Sequence, residues 1–140
     1  MQSYDDGNIF AKILRGEIPS HKLYEDDNAL AIMDVMPQSK GHCLVIPKAP
    51  SRNILDASDE TLAKVMPVVA KLARAAKKAF EADGVFVCQF NEEPAGQTVF
   101  HLHFHVIPRY EGVEMKRHSD GMADQAMLAE QAEKIRQALA

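Results

Sequence analysis

The sequence predicts an α+β domain built on a five-stranded antiparallel sheet, with one long helix and shorter helices near the two ends. Three observations carry this. Five short runs rich in β-branched and aromatic residues fall in neighbouring groups rather than alternating with helices, which favours antiparallel pairing over short turns. One long stretch repeats its apolar residues every three and four positions, the period of a helix. The chain has 140 residues, 46% hydrophobic and 26% charged, proportions that suit one domain over 1–140. A chain of this size buries roughly 70% of the surface it exposes when unfolded and needs no disulfide or metal to fold.

The elements follow in order. Asn8 caps a short helix over Ile9–Arg15, which Gly16 ends. Ile9, Phe10 and Ile13 are expected to face inward. Strands at His21–Glu25 and Ala29–Asp34 are joined by the turn formers Asp26, Asp27 and Asn28. Pro37–Gly41 is a further turn, and His42–Ile46 is a third strand that Pro47 closes. The long helix spans Ser58–Ala82. Ser58 is its N-cap, Asp59 and Glu60 suit the positive end of its dipole, and Pro67 is expected to kink it. Leu62, Val65, Met66, Val69, Leu72, Ala73, Ala76 and Phe80 form its apolar stripe. Val85–Phe90 and Val99–Ile107 are the last two strands, separated by the loop Asn91–Gln97 and stopped by Pro108. Gly112–Gly121 is polar and irregular, and Asp124–Leu139 is a weaker helix. The core of the domain is expected over about 8–110, with 111–140 as a C-terminal extension.

Charge and composition exclude several functions. The net charge of −4 gives no footprint for general nucleic-acid binding, which needs a basic face. Lys71, Arg74, Lys77 and Lys78 read as the solvated side of the long helix. Cys43 and Cys88 form no CxxC pair and no metal spacing, which suits free thiols in a reducing compartment. Met1–Gly7 lacks the pattern of a signal peptide, and no apolar run approaches a membrane span. The cytoplasm is the default location.

The chemistry is concentrated in V-F-H-L-H-F-H-V-I-P-R, Val99–Arg109. On a strand, side chains alternate between faces, so His101, His103 and His105 project from one side, spaced roughly 7 Å apart. Phe100, Leu102, Phe104 and Val106 project from the other. Three imidazoles in a row are poor core material, because each carries two nitrogens that need partners when buried. One reading is a metal site using two of them plus residues from elsewhere, since three on one strand cannot all reach a single ion. A second is a nucleophile with a phosphate clamp, since a neutral, oriented imidazole attacks phosphorus and its neighbours can stabilise charge on the oxygens. A third is the same clamp used for binding without turnover. Upstream, Gly41-His42-Cys43-Leu44-Val45-Ile46-Pro47-Lys48 places another histidine at the mouth of a strand. His21 and His118 lie outside the constellation and read as surface residues. Arg109 and Lys48 could face either a second phosphate or solvent.

G-H-C-L-V-I-P-K followed by G-Q-T-V-F-H-L-H-F-H-V-I-P-R resembles the histidine-triad (HIT) family, whose signature is H-φ-H-φ-H-φ-φ with φ apolar. N-I-F-A-K-I-L-R-G-E-I-P and Y-E-D-D-N-A-L-A-I-M-D extend the likeness from about Asn8 to Arg109. The chain is more similar to the branch of purine nucleoside phosphoramidases than to the longer transferases. The resemblance implies a HIT-like fold and a homodimer whose two sheets join into one. It also implies a purine nucleotide of AMP or GMP type, with its α-phosphate over the triad. His103 would attack phosphorus and form a nucleotidyl-histidine that water releases, with the carbonyl of His101 orienting the ring. His105, His42, Asn91, Gln97 and the backbone at Thr98 would hold the phosphate. Asp34 would accept from the ribose hydroxyls. Ile9, Phe10, Ile13, Ile18 and Ile32 would line the base pocket. A dinucleoside polyphosphate hydrolase and a nucleotide-binding scaffold are the rival functions. Some relatives carry a CxxC for a structural zinc; here Asn8–Ala11 holds no cysteine, so no such zinc is expected, and the site reading calls for no metal and no cofactor. Met33 stands where relatives often have an aromatic residue or histidine, and Asn91–Gly96 is not glycine-rich as in some of them.

Overall fold

The computed structural model describes residues 1–140, the side chain of Ser119 excepted. Asn8 accepts from the amide of Ala11 and caps α1 (Ile9–Leu14). Two hairpin-linked strands follow, β1 (Lys22–Glu25) and β2 (Ala29–Met33), then β3 (Cys43–Pro47). Ser58 accepts from the amide of Thr61 and caps α2 (Asp59–Ala79), whose first turn is acidic and last turn basic, as the helix dipole favours. The chain then enters β4 (Gly84–Cys88) and β5 (Phe104–Arg109), and ends in α3 (Gln125–Leu139), capped by Asp124. The sheet order is β1-β2-β3-β5-β4, with every neighbouring pair antiparallel.

Alternation along the strands divides the interior in two. Ala31, Met33, Cys43, Val45, Phe104 and Val106 face α2 and α3. There they meet Val65, Val68, Val69, Leu72, Ala75 and Ala76 of α2, and Leu128, Ala132 and Ile135 of α3. Each fully buried Leu or Ile of this set stabilises by roughly 1.5–3 kcal/mol. Leu30, Ile32, Leu44 and Ile46 face the other way and pack on Phe10 and Ile13 of α1. Because β2 and β3 are buried on both sides, they read as continuous apolar runs. The second face is covered by the short α1 together with Ile18 and Val99, and the histidines lie on this same side.

Several expectations are corrected. The last strand begins at Phe104, not Val99, because β3 pairs with it only from Val45↔Phe104 to Cys43↔Val106. Upstream, the amide of Leu102 donates instead to the carbonyl of Ser51 at 2.8 Å, which ties the segment to a loop. The facing pattern survives without the ladder, since Leu102 is fully buried in the helix-side core. Phe100 is the exception, lying under the Arg52 guanidinium at 4.1 Å. Pro108 does not stop β5, which runs on to Arg109. It lies beyond the β3 ladder, so its missing N–H costs no bond on that side. The fourth strand is Gly84–Cys88, shorter than Val85–Phe90 and shifted toward the helix. On α2, Val68 and Ala75 are buried while Met66 is 45% exposed, one residue off the true stripe. Pro67 lies on the exposed side of α2 with Ala63, inside the unbroken helix. Ile9 is 47% exposed at the head of α1, where Phe10 and Ile13 turn inward.

Candidate active site

Gly41 sets the first candidate side chain in place. Its φ of +83° lies in the left-handed region, and a Cβ there would sit 2.5 Å from the Phe80 ring. The tight turn delivers His42, fully buried, to the start of β3. On the adjacent strand His105 is held by the pair Leu44↔His105, and His42 Nε2 lies 2.9 Å from His105 Nδ1. His103 stands beside it, the two rings 5.1 Å apart between centroids.

Backbone groups decide where each ring keeps its proton. The amide of Gln38 donates to His42 Nδ1 at 3.0 Å, so the neutral ring carries hydrogen on Nε2. That hydrogen goes to His105 Nδ1, with Asp34 Oδ2 as a longer second acceptor at 3.3 Å. His105 must then carry its own hydrogen on Nε2. His103 Nδ1 donates to the carbonyl of His101 at 2.7 Å, which leaves a lone pair on Nε2. His101 Nε2 donates to the carbonyl of Pro47 at 2.7 Å, and its Nδ1 accepts from the Tyr4 hydroxyl at 2.6 Å. No buried side-chain nitrogen or oxygen among the described residues lacks a partner. The Nε2 atoms of His103 and His105 have none, so they are reached from outside. One bare nitrogen and one N–H donor thus stand side by side.

Burial keeps these rings neutral. It drives His42 down to about 2, His105 down to about 3 and His103 down to about 4, from an ordinary 6.5. His101 is lowered for the same reason. Burial pushes Asp34 the other way, up, against the amide of Met36 and His118, which favour the carboxylate. Cys43, wholly enclosed, rises to about 12 and is an inert core thiol.

A cavity of about 360 Å³ opens over this group. His103, His105, Thr98 and Asp34 line its polar end, and Ile9, Phe10, Ile13 and Ile32 its apolar end. Phe10 also meets the His103 ring edge-on at 4.7 Å. The other residues singled out by sequence lie elsewhere. Ile18 packs on the α1-side core without lining the cavity. His42 stands behind His105, and His101 acts through its carbonyl. Gln97 is turned away: its Nε2 donates to the carbonyls of Arg52 and Val99, and its Oε1 accepts from Asn53 and the amide of Glu92. With Arg52 also paired to Glu92, this network fixes the loop that carries Thr98. Asn91 is likewise occupied, accepting from the amide of Ile54 and donating to Gln89. Lys48 pairs with Glu25, and Arg109 donates to the carbonyl of Val113, so neither turns to the cavity. His21 meets Gln125 at the surface.

His118 is at the surface as expected, but sequence reasoning wrongly set it apart from the histidine constellation. It is partly exposed but not idle: its Nε2 donates to Asp34 Oδ2 at 2.9 Å and Oδ1 at 3.2 Å, and it lines the cavity. It arrives on an irregular segment with no period to read, and only the fold brings it to Asp34.

Asp34, His42 and His105 are close enough to share a metal ion. The donor set argues against one. A metal on His42 Nε2 would need the proton on Nδ1, where the Gln38 amide already donates. Metal-bound histidines instead donate from their second nitrogen.

The family model of the HIT domain matches residues 15–112. The chain belongs to the HIT family. It is 44% identical over 117 residues to Protein hit of Bacillus subtilis, covering 80% of this chain and 81% of that one. It is 44% identical over 101 residues to an adenosine 5'-monophosphoramidase of Schizosaccharomyces pombe, covering 72% and 73%. Among solved HIT structures, the Hit-like protein of Bartonella henselae is 56% identical with a TM-score of 0.92, over 97% of this chain and 99% of that one. A zinc-bound histidine triad protein of Mycobacterium smegmatis is 36% identical with a TM-score of 0.83, over 94% and 92%. The α+β sheet described here is the HIT fold.

Proposed function

We propose that this HIT protein is a nucleotide hydrolase that cleaves a phosphoramidate or phosphoanhydride bond at the α-phosphate of a purine nucleotide. The observation that carries the reading is the hydrogen bond from His103 Nδ1 to the carbonyl of His101, which bares Nε2 in a ring lining the cavity. The phosphoramidase relative supports the choice of substrate. The apolar end of the cavity suits a purine, and Asp34 suits a ribose.

His103 Nε2 attacks phosphorus. A P–N bond to the imidazole forms, and the bond to the leaving group breaks with its electron pair. His105 Nε2–H donates to a non-bridging oxygen as charge builds there, a contact worth more in the transition state than before it. Thr98, beside the same end, offers a further donor. Water then attacks phosphorus, the P–N bond breaks with its electron pair returning to His103 Nε2, and the monophosphate leaves; the proton that water loses balances the one the leaving group took up from solvent. The purine class, the covalent step and a homodimer belong to this reading. For the dimer, β4 is an edge strand with Phe86 43% and Val87 40% exposed, which supports pairing with a second copy.

The test is His103→Ala with an adenosine 5'-phosphoramidate, run beside a diadenosine polyphosphate. Turnover should fall at least about 10³-fold, with nucleotide binding kept within a few-fold. Turnover that survives the substitution removes His103 as the nucleophile.

A further inference from the structure

We propose that His118 is a place-holder for the ribose hydroxyls: it holds Asp34 until a ribonucleotide binds and is then displaced. The proposal rests on the nucleotide reading above and adds a residue that competes with the substrate. Asp34 is 4% exposed and both of its carboxylate oxygens are engaged. Oδ1 accepts from the amide of Met36 at 2.8 Å and from His118 at 3.2 Å. Oδ2 accepts from His118 at 2.9 Å, with His42 Nε2 at 3.3 Å. A carboxylate offers about four lone-pair sites, and these contacts already fill most of them. A ribose diol brings two more donors, and something must leave.

Only His118 can. The Met36 amide is part of the loop that follows Asp34. The His42 ring is fully buried and held at both nitrogens. The His118 side chain is 44% exposed. It rides on the turn His118–Asp120, between two backbone anchors to the Asp34 loop: the amide of Lys116 to the carbonyl of Gln38 at 2.7 Å, and the amide of Ala123 to the carbonyl of Val35 at 2.9 Å. Gly121, with φ of +108°, lies inside this span, where few other residues could turn the chain. The anchors can hold while the turn swings out. The exchange has a physical reason. A buried carboxylate without donors is costly, and His118 supplies them until the ligand does. One imidazole N–H shared between two oxygens is replaced by two hydroxyl donors, one for each.

Calorimetric titration of the whole protein with AMP and with 2′,3′-dideoxy-AMP tests this. His118→Ala should bind AMP about 3- to 10-fold tighter, because the competing state is gone, and dideoxy-AMP within two-fold of the parent, because that ligand never needs Asp34. AMP affinity that is unchanged or weaker overturns the proposal. Equal tightening for both ligands also overturns it, since the segment would then merely obstruct the cavity. If the parent protein binds AMP and the variant shows no shift, this inference fails alone; if the parent binds no nucleotide, the functional reading fails with it. A structure with AMP bound should show His118 off Asp34, and His118 still in place would refute the exchange.

Discussion

Removing His42 tests the chain of protons on which the site depends. The ring is fully buried, accepts from Gln38 and donates to His105, and does not line the cavity. His42→Ala therefore strands a backbone N–H and leaves His105 free to place its proton on either nitrogen. Losing the ring and leaving one buried donor unpaired should cost about 2–4 kcal/mol of stability. With His105 no longer fixed as an Nε2–H donor, kcat should fall about 10- to 100-fold. His42→Gln separates the two effects. Its Oε1 can accept from the Gln38 amide and its Nε2 can donate to His105, restoring both contacts in a neutral side chain. The assay pairs urea unfolding with kcat on an adenosine phosphoramidate. The glutamine variant should recover most of kcat while the alanine variant stays slow. Equal loss in both variants, at equal stability, would refute the proton-directing role.

Three further outcomes follow from the same geometry. His42, His103 and His105 fold with values near 2, 4 and 3 against 6.5 when unfolded, so below 6.5 the unfolded chain binds more protons. Stability is complete above that pH and should drain by up to about 1.4 kcal/mol per histidine per pH unit as pH falls toward the folded values, with Asp34, shifted up, opposing weakly. A urea midpoint that stays constant from pH 7.5 to 5 would contradict this. Gly41→Ala forces a Cβ to within 2.5 Å of the Phe80 ring at a φ of +83°, which should cost about 2–4 kcal/mol and slow turnover by moving His42; a thermal midpoint matching the parent would count against it. Exhaustive chelation should leave turnover within two-fold, because the Gln38 amide reserves His42 Nδ1 as an acceptor; activity lost to chelator and regained with zinc would overturn that argument.

Local chemistry was legible in the sequence wherever neighbours along the chain decide it. Asn8 and Ser58 cap their helices because a cap is a contact within three residues. Leu102, Phe104 and Val106 face the helices, and the histidines the other side, because alternation is a property of extended backbone whether or not it is paired. The strand limits were not legible: where β5 starts depends on how far β3 reaches beside it, and upstream the Leu102 amide bonds to a loop instead. Pairings between distant residues were equally closed to view. His42 against His105, Gln97 turned onto Arg52 and Asn53, and His118 against Asp34 join positions far apart in the chain, and no period or spacing encodes them. The sequence thus determined where the histidines fall along the chain and which face of the sheet the triad shares. The tertiary structure decided which nitrogen holds each proton, because those protons are directed by backbone amides and carbonyls that only the folded chain brings within reach.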